Sequence, residues 1–325
     1  MTIQAIQQAV AGASNLLVIS HIGPDGDSLG SLTAMGLALK QLGKQVTLLS
    51  DDGSLSRFNY LAMSDQIQQK HNTDATYDLV IAVDCGDEMR MGQAFADLPE
   101  PRPPLINIDH HITNTMFGQW NLVKPDAAST TEILYTLFKQ MQVTITAEIA
   151  MSLLTGLVTD TLGFRTVSVS AHTLRIASQL VDAGADLALV TMRGLTIKPL
   201  NTVQMWREGL NHMRMENGLI WTALSQEDLR RIGYHSASSA GLVSILANVE
   251  EAVMSAVLLE ADDGRIRVGL RCRPPYSVSE LALNLGGGGH PLASGCTLDG
   301  PLAHAEALVV DMCKEAIAQQ TRQLR

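Results

Sequence analysis

Between His21 and Asp27, seven consecutive positions hold one imidazole and two carboxylates, in the stretch His21-Ile22-Gly23-Pro24-Asp25-Gly26-Asp27. An imidazole and carboxylates in one short loop make a ligand set for a divalent cation. A plainer reading is a Pro-Asp-Gly turn followed by an Asp or Ser helix cap. That accounts for Pro24, Gly26 and one acidic residue, but not for His21 or a second aspartate. On this stretch alone both readings stand. Asp84 closes a second apolar run, and Asp109, His110 and His111 close a third. Each has its own bland explanation, as a loop or cap aspartate or as polar strand-end residues. Three such coincidences at one topological place are harder to accept than one metal centre.

The elements that must position these groups are legible as apolar runs. NLLVIS (Asn15 to Ser20), KQVTLLSDD (Lys44 to Asp52), YDLVIAVDCGD (Tyr77 to Asp87) and LINIDHH (Leu105 to His111) read as strands. Their near-continuous apolarity suits a parallel sheet buried on both faces. If they are neighbours, His21, Asp25, Asp27, Asp84, Asp109, His110 and His111 converge at the carboxyl edge, where open α/β sheets hold ligands. A helix is expected over Leu29 to Gly43, and further helices over Ser129 to Gln142, Thr146 to Phe164 and Ser170 to Asp186. Ser129 with Glu132 has the pattern of a capping box. Asp160 lies toward the end of an apolar helix, where the dipole disfavours an anion and a nearby cation would compensate.

Beyond Leu187 the pattern changes. One or two helices with a break at Lys198-Pro199 lead to strands over Gly218 to Ser225, Glu251 to Asp262 and Arg265 to Pro274. Asp262-Asp263-Gly264 is a hairpin turn between the last two. A helix over Ser277 to Leu285 precedes Gly286, Gly287, Gly288, Gly289 and His290, then an Ala-Ser-Gly turn containing Ser294 and a closing helix through Ala303 to Gln320. A glycine run lets the backbone approach a ligand closely and its N–H groups cradle an anion. A flexible loop would explain the run too, though a linker seldom leads straight into a histidine. Arg271 and Arg273, two apart, share a strand face. Guanidinium groups suit bidentate phosphate contact, and a solvated strand face is the plainer alternative.

Composition bounds the function. The chain has 325 residues, 46% of them apolar and 17% charged, with a net charge of −10. That length suggests two domains or one large one. The acidic balance argues against a broad grip on long duplex DNA. Cys85, Cys272, Cys296 and Cys313 form no CxxC pair, which fits a reducing compartment better than structural zinc. The first residues contain no basic group and do not read as a signal peptide, and no apolar run reaches the roughly 20 residues of a membrane span. A cytoplasmic protein with no membrane contact is expected.

Five motifs resemble the DHH phosphoesterase superfamily, in its branch with a C-terminal DHHA1 domain. They are HIGPDGDSLGS (His21 to Ser31), VDCGD (Val83 to Asp87), Asp109-His110-His111, TDTLGF (Thr159 to Phe164) and GGGGHPLASG (Gly286 to Gly295). The resemblance implies an α/β fold: an N-terminal parallel-sheet DHH domain with helices on both faces, plus a smaller C-terminal α+β DHHA1 domain. The expected boundaries are 1–190 for the catalytic domain, 191–213 for a helical linker and 214–325 for the substrate-binding domain. It implies two divalent ions, usually Mn²⁺, with Mg²⁺, Co²⁺ or Zn²⁺ as alternatives. His21 and Asp25 would bind one ion, and Asp27, His110 and Asp160 the other, with Asp84 bridging. Asp109 would orient a ligand histidine, and His111 would face the scissile phosphate as donor or general acid. Arg271, Arg273, Gly286 to Gly289, His290 and Ser294 would hold the nucleotide. One departure is Cys272 with Pro274-Pro275, where the family more often has a serine and charged residues.

The length is similar to that of the stand-alone oligoribonuclease and pAp phosphatase group. The implied activity is hydrolysis of short oligonucleotides to mononucleotides and of 3′-phosphoadenosine 5′-phosphate (pAp) to AMP. A cleft between two domains would limit substrate length. The alternatives are a cyclic di-AMP or pApA phosphodiesterase and a RecJ-like single-strand exonuclease. A non-catalytic nucleotide-binding regulator would need a damaged ligand set, and every ligand position is filled. Manganese pyrophosphatases share the N-terminal motifs but lack the glycine run. Short RNA or DNA, pAp or a cyclic dinucleotide are thus the expected partners, without long duplex DNA, and a homodimer is left open.

Overall fold

The structure, a computed structural model, describes residues 3–72, 75–236 and 238–324. The chain divides into two compact units, Met1–Ile197 and Lys198–Arg325.

The first unit runs α1 (Ile3–Gly12), β1 (Asn15–Ile19), α2 (Gly26–Gln41), β2 (Gln45–Leu49), β3 (Ile67–Gln68), β4 (Leu79–Val83), α3 (Gly92–Ala96), β5 (Leu105–Asp109), β6 (Trp120–Val123), α4 (Thr130–Gln140), α5 (Ala147–Asp160), α6 (Ala171–Asp182) and α7 (Leu187–Thr191). Its sheet is parallel throughout, in the order β3-β2-β1-β4-β5-β6. Strand residues alternate between two apolar environments, which is why the runs look continuous in sequence. Leu16, Val18, Ile81, Val83, Ile106 and Ile108 join the large core with the helices, including Leu32, Leu134 and Leu153. Leu17, Ile19, Val80 and Ala82 face a smaller cluster with Met91, Ala94 and Phe95. Helices thus cover both faces, one far more heavily than the other.

Register sets the site. Ile19 lies opposite Leu49 and Ala82, and Val83 opposite Ile108. Continued along the strands, that register brings His21, Asp84 and Asp109 to one level at the carboxyl edge. The chain leaves β1 to one side and returns beside it as β4, so this edge is a topological switch point.

Two local details depart from expectation. Helix α2 starts at Gly26, not Leu29, because Asp25 is its N-cap and accepts from the Asp27 and Ser28 N–H groups. The cap and metal readings of this stretch are therefore not exclusive. Only half of the expected capping box forms on α4. Ser129 accepts from the Glu132 N–H, but the Glu132 carboxylate turns to the Thr173 hydroxyl at 2.9 Å and the Ala128 N–H at 3.4 Å.

The second unit runs α8 (Leu200–Asn211), β7 (Arg214–Glu216), β8 (Leu219–Leu224), α9 (Gln226–Arg231), α10 (Leu242–Ala247), β9 (Met254–Glu260), β10 (Ile266–Cys272), α11 (Ser279–Asn284), β11 (Gly288–His290), β12 (Ala293–Leu298) and α12 (Leu302–Gln323). Its sheet has the order β11-β12-β10-β9-β8-β7, and only the β8–β9 pair is parallel. The break at Lys198-Pro199 is the start of α8, with Pro199 as its N-cap. The glycine run is not a free loop: Gly288 and Gly289 pair with Gly295 and Ser294 as an edge hairpin. Among the described residues no helix is long and apolar enough to cross a membrane.

Candidate metal centre

Small residues bring the ligand-bearing helices together. A Cβ on Gly30 of α2 would lie 2.5 Å from the Ser152 carbonyl oxygen of α5, and one on Gly156 of α5 would lie 2.4 Å from Asp27 Oδ1. Only glycine permits that approach, which places Asp27, in the first turn of α2, beside Asp160, the last residue of α5. Asp84 follows β4 with φ of +61°, a left-handed conformation that aspartate tolerates better than most residues. Its N–H still continues the ladder to the Ile108 carbonyl at 2.9 Å.

Three groups of nitrogen and oxygen ligands result, each with its ligand atoms within 4.8 Å of one another: His21, Asp25 and Asp84; Asp27, His110 and Asp160; and Asp84, His110 and His111. The two oxygens of Asp84 face different partners. Oδ2 is 3.5 Å from His21 Nε2, and Oδ1 is 3.8 Å from His110 Nε2. His110 Nε2 is also 3.5 Å from Asp160 Oδ2 and 4.0 Å from Asp27 Oδ2. All six expected ligand positions therefore meet in one place.

Supporting groups that the sequence reading did not name hold this cluster. The N-terminus of α4 is aimed at it: the Thr130 and Thr131 N–H groups donate to Asp27 at 2.6 and 3.1 Å, and the Thr131 hydroxyl donates at 2.9 Å. The Thr130 hydroxyl donates to Asp84 Oδ1 at 2.9 Å. Backbone donors at a helix N-terminus stabilise a buried anion. His21 Nδ1 is 2.8 Å from the Ile22 carbonyl, which can only accept, so Nδ1 carries a proton and Nε2 faces the carboxylates. The Arg90 guanidinium lies 3.2 Å from the same nitrogen. The sequence signal for Thr130 and Thr131 was present as a helix start, but its target lies about a hundred residues away.

Asp109 does not hold His110, the histidine in the ligand group of Asp27 and Asp160. Its Oδ1 is 2.7 Å from Nδ1 of His111, and its Oδ2 accepts from Asn114 Nδ2 at 2.6 Å. His110 Nδ1 instead faces the Ala127 carbonyl at 3.3 Å. The reason is the chain direction: Asp109 is the last residue of β5, and side chains two apart on an extended chain point the same way.

The electrostatics favour a cation at this cluster. Burial, with the charges of Asp84, Asp160 and Asp25, pushes the Asp27 carboxyl well above its ordinary value. Burial raises Asp160 to about 7; Asp84 and Asp25 add to the rise, and His110 and His111 oppose it. Burial alone would raise Asp84, but the hydrogen bond from His21 and the charges of three histidines outweigh it and hold it below the usual carboxylate range. Burial opposes protonation of His21, yet Asp84 and Asp25 overcome it and raise its pKa. His111 is pushed up to about 9: burial works against this, and Asp109 and Asp84 more than offset it. The donor set of carboxylate oxygens and imidazole nitrogens, without thiolate, fits Mn²⁺ or Mg²⁺ and admits zinc. Cys85 beside it keeps its proton, since burial raises its pKa, and its Sγ donates to the Val83 carbonyl.

The candidate nucleotide-binding residues lie in the second unit and are built differently from expectation. Nη2 of the Arg273 guanidinium donates to the Glu250 and Ala252 carbonyls. Arg271 is half-buried, donates to the Leu270 carbonyl at 2.8 Å, and has no carboxylate partner among the described residues. Two of the four glycines serve packing. A Cβ on Gly287 would meet the Gly295 carbonyl oxygen at 2.1 Å, and one on Gly289 the Ala293 carbonyl oxygen at 2.6 Å. Gly286 and Gly288 face open space. The Ser294 hydroxyl donates to the His290 carbonyl at 2.7 Å, closing the hairpin, and His290 is exposed.

Comparisons with known proteins agree with this layout. Residues 15–157 match the N-terminal domain of the DHH family, and residues 222–319 match the DHHA1 domain. The chain is 33% identical to a Thermus thermophilus protein named bifunctional oligoribonuclease and PAP phosphatase NrnA, over 97% of this chain and 93% of that one. It is 27% identical to a Streptococcus mutans protein named probable bifunctional oligoribonuclease and PAP phosphatase NrnA, over 90% and 92%. A crystal structure of an exopolyphosphatase-related protein from Bacteroides fragilis shares the fold, with a TM-score of 0.86 at 22% identity, covering 99% of this chain and 97% of that one. Motifs, fold and relatives converge, and the chain belongs to the DHH family, with a C-terminal DHHA1 domain.

Proposed function

We propose that the protein is a divalent-metal-dependent phosphoesterase that hydrolyses short oligonucleotides to mononucleotides and pAp to AMP. The observation that carries this reading is Asp84, whose two oxygens face His21 on one side and His110 on the other. The names of the Thermus and Streptococcus relatives supply the substrate class.

In this reading His21 and Asp25 would hold one ion and Asp27, His110 and Asp160 a second, with Asp84 available to both. When bound, such ions lower the pKa of water and neutralise charge on phosphoryl oxygens. The chain's own residues do the rest. Thr130, Thr131 and the cap at Asp25 fix the carboxylates so that no reorganisation is needed on binding. Asp109, itself held by Asn114, orients His111 and keeps its imidazole protonated at neutral pH. His111 is then the acid that passes a proton to the leaving oxygen. To the second unit we assign nucleotide binding, through Arg271, His290 and the open glycines Gly286 and Gly288, with Gly287, Gly289, Ser294 and Arg273 shaping that surface. Catalytic residues 1–190, a helical segment 191–213 and a binding domain 214–325 remain the functional division we assign. The net charge of −10 supports short substrates over long duplex DNA. Four unpaired cysteines support a reducing, cytoplasmic setting.

The test is a time course with Mn²⁺, and again with chelator, on pAp, a 5′-phosphorylated RNA dinucleotide, a long RNA and cyclic di-AMP. Loss of pAp and the dinucleotide, abolished by chelator, is the expected result. Preferential loss of cyclic di-AMP, or turnover that survives chelation, refutes the assignment.

A further inference from the structure

One cation of the catalytic unit stands outside the mechanism above. Arg57 lies in a single helical turn, Ser56–Phe58, on the segment between β2 and β3. Among the described residues its guanidinium makes no hydrogen bond and no ion pair, and its Nε is buried without a partner. Burial lowers its pKa, and the acidic group in electrostatic reach of it is Asp25, one of the candidate ion ligands. Buried polar atoms are nearly always paired, so this donor asks what pairs it, and its neighbour Phe58 sits around Gly194 with Thr159, one residue from Asp160.

The side chain is held in place. Its guanidinium carbon lies 4.7 Å from the centroid of the Phe58 ring, and Phe58 is 0% exposed. Phe58 packs edge-on against Tyr60, whose hydroxyl is 2.9 Å from the Thr155 hydroxyl on α5. That is the helix that carries Asp160. Contact with the ring restrains the guanidinium, whose terminal nitrogens are the donors arginine offers to planar anions. A solvent-facing arginine has no need of such anchoring. Arg193 is a second cation in electrostatic reach of Tyr60.

We propose that Arg57 is a catalytic residue that binds a non-bridging oxygen of the phosphate being hydrolysed, on the Asp25 side of the metal centre. The inference rests on the phosphoesterase reading. Arg57 gives up no proton; it supplies N–H donors and fixed positive charge to an anion whose charge builds during attack.

The product of pAp hydrolysis, inorganic phosphate, carries only the group that Arg57 is said to touch. Product inhibition is therefore measured alongside turnover of pAp. Arg57→Gln should weaken phosphate inhibition and lower kcat/KM by about tenfold or more, as expected for loss of a hydrogen bond to a charged group. Arg57→Lys, which keeps the charge without the fork, should recover part of both. Arg230→Ala, at a surface arginine facing Asp262 in the second unit, should change neither. Should the variants fold poorly, modification of wild-type Arg57 by phenylglyoxal, read by mass spectrometry, should slow when phosphate is added with Mn²⁺. Wild-type inhibition constants and turnover in Arg57→Gln, or labelling indifferent to phosphate, overturn the assignment and leave Arg57 as a packing partner of Phe58. Failure of the wild-type enzyme to hydrolyse pAp would instead count against the phosphoesterase reading, and the labelling experiment would still decide Arg57.

Discussion

Replacing Gly156 by alanine adds one methyl group in the interior of α5. Helix propensity alone makes this favourable by about 1 kcal/mol. The surroundings reverse the sign. The new Cβ would lie 2.4 Å from Asp27 Oδ1, 2.5 Å from Thr131 Cγ2 and 2.6 Å from Thr131 Oγ1. These are about 1 Å inside van der Waals contact. None of the three is the far end of a flexible chain: Asp27 and Thr131 are each 1% exposed and bonded to one another. Either α5 retreats from α2, or Asp27 leaves its donors. Overpacking of this kind costs about 1–3 kcal/mol. A ligand displaced by about 1 Å costs about 100-fold in rate. Gly156→Ala should therefore lose stability in urea and bind Mn²⁺ more weakly by calorimetry, with hydrolysis falling by about two orders of magnitude. Gly12→Ala, at a helical position with open space around its Cβ, should leave Mn²⁺ affinity and hydrolysis unchanged and should not lower stability. A Gly156→Ala protein as stable as wild type and with unchanged Mn²⁺ affinity would refute the claim that close helix approach builds the ligand set.

Asp84→Asn keeps the shape of the side chain but removes the charge between the two ligand groups; it should reduce Mn²⁺ stoichiometry by calorimetry and bring hydrolysis to background. In metal-free protein, the His111 imidazole should titrate by NMR near the raised value of about 9, and Asp109→Asn should move that midpoint down toward 6.5. The sign for stability follows. A folded-state pKa above the unfolded one contributes stability that is complete below about pH 6.5 and lost as pH rises through about 9, so the deficit of Asp109→Asn should shrink over that window. Gly287→Ala should lower the denaturation midpoint of the second unit, whereas Gly288→Ala, with open space at its Cβ, should leave it unchanged.

What was legible in the sequence was local chemistry at the ends of strongly apolar segments. β1, β4 and β5 are buried on both faces, so hydrophobicity marks them without ambiguity, and their terminal Asp and His residues stand out against it. β3, β6, β7 and β11 escaped notice because each is two to four residues long and at or near a sheet edge, where polar residues and glycine are tolerated. β12 was lost for a related reason, since it opens with Ala293, Ser294 and Gly295. The supporting hydrogen bonds were harder still. Thr130 to Asp27 spans more than a hundred positions, and nothing in either neighbourhood announces the other. The arginines show the opposite failure. Arg273 looks like a free phosphate ligand in sequence and donates through Nη2 to backbone carbonyls, while Arg57 attracts no attention in sequence and, among the described residues, makes no hydrogen bond and no ion pair.

The helix that completes the metal centre also dates it. The candidate ligands begin at position 21 and end at position 160, at the last residue of α5. During synthesis His21, Asp25, Asp27, Asp84 and His110 all leave the ribosome before Asp160 does. The group of Asp27, His110 and Asp160 cannot close until α5 has emerged and docked on α2. An ion held by that group would therefore be chosen by a nearly finished domain with fixed ligand positions, and not by a nascent chain whose loose carboxylates and imidazoles would favour whichever metal binds such groups most tightly.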